Sequence, residues 1–140
     1  MSHSTLALRA VEAGYFEDHE DEEAIEVALT GLDESGLRRS FSFQRSSYDE
    51  PDEQDVEVGL DSYCVVTERG RTCYGCLTAV GFGTARLTLD FTAEDAAALD
   101  IATRVELDLS GVDQDVLAEK LCNVLDWGAQ AKRPAIVVTP

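Results

Sequence analysis

Five segments of this chain alternate polar and apolar residues with a period of two: Leu6–Val11, Ala24–Leu29, Ser40–Gln44, Arg86–Phe91 and Arg104–Leu109. Successive side chains of an extended strand point to opposite faces, so this alternation describes strands with one face buried and the other wet. A further run, Tyr63–Val66, reads as a strand that turns at Arg69-Gly70 and returns as a strand from Thr72 to Val80. Only two segments carry helical spacing. Thr92 offers an N-cap hydroxyl, with Glu94 and Asp95 in the first turn and Ala96–Leu99 continuing a short helix. A longer helix is predicted from Asp113 to Trp127, where Leu117, Leu121, Val124 and Leu125 recur on one face and Gly128 serves as C-cap. The tail Ala135–Val138 either adds an edge strand or lies loose. Strands that do not alternate one-for-one with helices predict an α+β fold, a largely antiparallel β-sheet with a short helix and a longer C-terminal helix packed on it.

The length of 140 residues suits one domain over 1–140, with a flexible start at about residues 1–4 and an open question over the tail from about 129. No apolar run approaches the ~20 residues of a membrane span. The start, Met1-Ser2-His3-Ser4-Thr5, has neither a basic region nor an apolar stretch, so no export signal and a cytoplasmic location are expected.

The charge is one-sided. There are 28 acidic residues against 11 basic ones, a formal net charge of −17. Such a surface repels the phosphates of nucleic acid and anionic membranes, so neither is an expected partner, and it attracts a basic protein. Solubility, or adaptation to high salt, accounts for the excess equally well, with a solvated acidic loop the default for any one cluster; pairing with a basic protein requires the acids to cluster. They do so twice: at Glu17, Asp18, Glu20, Asp21, Glu22 and Glu23, and at Asp49, Glu50, Asp52, Glu53 and Asp55. Both clusters are expected in connections between strands, where exposed interaction residues concentrate. Neither contains the central glycine of a calcium loop.

Four cysteines are present, Cys73 and Cys76 as a C-x-x-C pair, with Cys64 and Cys122 isolated. A zinc ribbon needs a second such pair, and a strand points Cys73 and Cys76 to opposite faces unless a bulge at Gly75 intervenes. Buried or half-buried thiols are the favoured reading, with no metal and no cofactor expected; a small zinc- or thiol-dependent regulatory protein using Cys73 and Cys76 is the alternative. His3 and His19 lack a built environment for acid–base work, and no phosphate loop, nucleophile elbow or H-E-x-x-H motif occurs, so no enzyme is expected.

The run Gly59-Leu60-Asp61-Ser62-Tyr63-Cys64, closed by Gly70 and followed by Tyr74-Gly75, has a further reading. With the segments from Phe43-Gln44-Arg45 through Leu87-Thr88-Leu89 to the helix at Thr92, it resembles the immunity protein 10 family of bacterial polymorphic-toxin systems. The resemblance runs from the first strand to about Trp127. It implies a non-catalytic protein that binds and neutralises a cognate toxin. Asp61, Tyr63, Cys64, Tyr74 and Gly75 fall on the family-like hairpin, whereas Cys73 and Cys76 depart from its pattern. Packing of the tyrosines on the sheet, with Asp61 holding the preceding turn, explains the same residues structurally. An acidic inhibitor suits toxins that attack nucleic acid, whose clefts are basic.

Overall fold

The five alternating segments are all strands of a single sheet. The computed structural model describes residues 5–18, 20, 24–47 and 62–138. Among these residues the strands are β1 (Thr5–Asp18), β2 (Ala24–Leu32), β3 (Arg38–Ser46), β4 (Cys64–Thr67), β5 (Thr72–Tyr74), β6 (Leu77–Gly83), β7 (Arg86–Phe91), β8 (Arg104–Asp108) and β9 (Ala135–Val138). Helix α1 spans Ala93–Leu99 and helix α2 spans Gln114–Leu125. The strand order is β5-β4-β3-β2-β1-β8-β7-β6-β9. Two antiparallel meanders, β1–β5 and β6–β8, are joined by a parallel β1·β8 pair, and β9 lies parallel to β6. The fold is therefore the expected α+β, largely antiparallel, and the tail is an edge strand.

That order forces the sheet to curl. Strands β5 and β6 lie seven spacings apart in the sheet, which at about 4.8 Å per spacing is roughly 34 Å if flat. Only Gly75 and Cys76 connect Tyr74 to Leu77, and three residue steps reach at most about 11 Å. The sheet must roll until its two ends nearly meet. The expected continuous strand from Thr72 to Val80 is consequently broken: Gly75 takes a positive φ of 58° and turns the chain from one end of the sheet to the other. A Cβ at Gly75 falls 3.0 Å from the Cβ of Lys132. Gly75→Ala should therefore lower the unfolding free energy by about 1–3 kcal/mol, combining the left-handed backbone penalty with this contact. Urea unfolding measures it.

Tyr63 sits across this seam, fully buried. Its hydroxyl accepts a hydrogen bond from the Leu77 amide at 2.9 Å and donates to the Leu77 carbonyl at 3.4 Å. The Gly75 amide donates to the Tyr63 carbonyl at 3.1 Å. Burial pushes the Tyr63 hydroxyl above the ordinary phenol value, so it stays protonated.

The inner face of the curl is the core. Val27 and Leu29 of β2, Phe41 and Phe43 of β3, and Leu87 and Leu89 of β7 are buried there. Helix α2 packs beside β2 and β3, and Leu117, Leu121, Val124 and Leu125 are each 0% exposed. Each such side chain contributes about 2 kcal/mol of burial. The predicted N-cap forms, Thr92 Oγ1 accepting from the Asp95 amide at 3.0 Å, and at the start of α2 Asp113 caps as well, its Oδ1 accepting from the Val116 amide at 3.1 Å. Helix α2 ends at Leu125 rather than Trp127. There Arg45 of β3 donates through Nε to the Asn123 carbonyl at 2.9 Å and stacks 5.7 Å from the centre of the buried Trp127 ring. Gly128 is not the C-cap; with a φ of 83° it forms an antiparallel bridge to Ser62.

Candidate functional site

Because both helices sit within the curl or along its seam, the outer face of β1–β5 has no helix over it among the described residues. The antiparallel registers place Phe16, Glu26, Gln44, Cys64 and Tyr74 in one row across all five strands. Their outward direction follows from alternation, since Val27, Phe43, Val65 and Cys73 next to them in sequence point inward to the core. The adjoining row is Gly14, Ala28, Ser42, Val66 and Thr72, and the next row on the other side starts Asp18, Ala24, Ser46.

Aromatic rings stand at both ends of the first row, Phe16 at 42% and Tyr74 at 47% exposure. Between them Glu26 is held in place: the Ser42 hydroxyl donates to its carboxylate in a short hydrogen bond, and Gln44 Nε2 donates to the same oxygen at 3.3 Å and to Ser42 Oγ at 2.8 Å. Beside this network a depression of about 210 Å³ is lined by Ala24, Gln44, Arg45, Ser46, Ser62, Cys64, Tyr74 and Trp127. Two larger depressions, of about 400 and 350 Å³, flank Ala7 and Leu8 where β1 passes from β8 to β2; they contain none of the residues singled out above.

The family-like hairpin thus divides into two kinds of residue. Tyr63 and Gly75 build the seam, while Cys64 and Tyr74 face outward beside the depression. Asp61 lies outside the described residues. Nothing in the period-two pattern marked Phe16, Glu26 or Gln44, because only the strand register brings them beside Cys64 and Tyr74.

The acidic clusters are only partly in connections. Glu17 and Asp18 are the last residues of β1, which runs past the expected Val11 because its second half pairs with β2 up to Asp18 opposite Ala24. A register shift between Ala10 and Glu12 interrupts the alternation there, which hid this half of the strand. Glu20 is exposed, its amide donating to Asp18 Oδ1 at 2.9 Å. Asp21, Glu22, Glu23, Asp49, Glu50, Asp52, Glu53 and Asp55 lie outside the described residues, as does His19. The strand ends that carry the two acidic segments are neighbours: Ala24 pairs with both Asp18 and Ser46, and Ser62 lies with Ala24 and Ser46 around the same depression.

The cysteines do not form an exposed dithiol. The positive φ at Gly75 turns Cys76 to the same side as Cys73, so both are buried in the core instead of facing opposite ways. Burial pushes the Cys73 thiol up to about 11 and the Cys76 thiol higher still, which keeps both protonated and poor as nucleophiles or metal ligands. Cys64 and Cys122 are half-buried, and burial raises their thiols as well. Among the described residues no group of three or more His, Cys, Asp or Glu side chains is arranged to hold a metal. The alternative of a regulator working through Cys73 and Cys76 lacks the accessible thiolates it requires.

This arrangement, an acidic curled sheet with a Tyr63–Gly75 seam and no accessible reactive pair in the described residues, accords with a comparison against protein-family models. The model described as immunity protein 10 matches residues 9–117, from the first strand into α2 and short of the Trp127 limit expected from the motifs. No curated relative and no solved structure matches the chain. With well over half its length covered, the chain belongs to the immunity protein 10 family.

Proposed function

We propose that this chain protects a bacterial cell by binding a cognate toxin with a basic surface, in the cytoplasm, and occluding it without performing chemistry. Family membership supports an immunity role. The observation that carries the electrostatic part is the adjacency of the strand ends bearing the two acidic segments, on a chain of net charge −17. The ends of β1, β2 and β3 next to these segments in sequence thereby lie together, and acids brought close in this way would strengthen the field a basic partner meets during approach. Steering of this kind acts on the association rate and weakens as salt shortens the Debye length from about 10 Å at 0.1 M to about 3 Å at 1 M.

The test is co-expression with the toxin domain encoded by the neighbouring gene. Cells producing both proteins should grow, and the two should purify as a complex of fixed stoichiometry. A toxin that kills at the same rate with or without this chain, and that leaves no complex on a sizing column, defeats the proposal.

A further inference from the structure

We infer that the outer face of β1–β5 is the docking surface for the toxin, and that it seats a basic face of that domain between Phe16 and Tyr74, over Glu26; this rests on the immunity reading above. Three observations favour this face and this occupant. Its outward positions carry Glu12, Asp18 and Glu26, and among the described residues of the rows from Glu12 to Asp18 none is a lysine or arginine. The centre of the face is small, with Gly14, Ala28 and Ser42 in one row, so the main chain of a partner reaches the sheet closely. Exposed rings stand at its edges, where an arginine stacks on Phe16 while its guanidinium meets the Glu26 carboxylate, already fixed by Ser42 and Gln44.

The dimensions are consistent. Five strands about 4.8 Å apart and four rows about 7 Å apart give a face on the order of 400 Å², about half of what one partner buries in a standard interface, so neighbouring elements complete the contact. The outer face of β6–β8 lacks this character. There Arg104 already pairs with Asp90 at 2.7 Å, and no aromatic ring projects among its described outward residues.

Gly14 provides the test, because a Cβ built there meets nothing within 4 Å and its backbone is not left-handed. Gly14→Trp should keep the wild-type circular dichroism spectrum and raise the dissociation constant for the neighbouring-gene toxin domain at least 100-fold. Ala28→Arg, in the same row, should weaken binding similarly by placing a cation against a basic partner, and it serves if Gly14→Trp fails to fold. Gly81→Trp, on the outer face of β6, is the matched control and should bind as wild type does. Wild-type binding with undiminished affinity in folded Gly14→Trp and Ala28→Arg overturns this surface and leaves the immunity reading standing. No complex between the wild-type chain and the toxin overturns both.

Discussion

Tyr63→Ala should lower the unfolding free energy by about 3–5 kcal/mol, the range for removing a fully buried aromatic side chain. The physical reason is its position. Tyr63 fills the seam where the sheet closes, and its hydroxyl is the partner of the Leu77 amide. Tyr63→Phe keeps the ring and removes only the hydroxyl, so it should cost about 1–3 kcal/mol, the penalty of an unsatisfied buried donor. Urea unfolding followed by circular dichroism separates the two. A pH series gives an independent check. The raised value of the folded Tyr63 hydroxyl means that the unfolded chain loses this proton first, near the ordinary phenol value of about 10. The tyrosine contribution is therefore complete below that pH and falls above it, by about 1.4 kcal/mol per pH unit until the folded value is passed. The difference between wild type and Tyr63→Phe isolates this part, because the buried thiols titrate in both. Equal stability of Tyr63→Ala and wild type would show that the seam is not closed by this residue.

Neutralising both acidic segments should slow association with the toxin domain by about 10- to 100-fold at low salt and much less at 1 M salt. The variant combines Glu20→Gln, Asp21→Asn and Glu22→Gln with Asp52→Asn, Glu53→Gln and Asp55→Asn. Each triple alone should give a smaller reduction. Because steering acts before contact, the dissociation rate should change less than the association rate. Stopped-flow or surface-based kinetics across a salt series makes the measurement, and circular dichroism verifies the fold. If all three variants associate as fast as wild type at low salt and protect cells equally, the acids serve solubility alone. The outer face with Gly14 and Glu26 is then left to account for binding by short-range contact.

Strands and helices whose burial is local and periodic are legible in the amino-acid order alone. Alternation located β2, β3, β7 and β8 because one side of each faces the core, and the spacing of Leu117, Leu121, Val124 and Leu125 located α2 for the same reason. The side-chain cap at Thr92 was legible because an N-cap bond spans only three residues. The ordered hairpin residues also carried the family. Everything that depends on which strand lies beside which came instead from long-range pairing. The break at Gly75 looks like strand continuation in sequence, since Tyr74 and Leu77 both have strand character; the roll of a nine-stranded sheet supplies the reason for the turn. Cys73 and Cys76 share the core only because that turn reverses the facing of the second. Phe16, Glu26, Gln44, Cys64 and Tyr74 are scattered over almost sixty positions and form one row only through four strand registers. Register is set by long-range pairing against a shared core, and a one-residue slip would send each of these side chains to the opposite face.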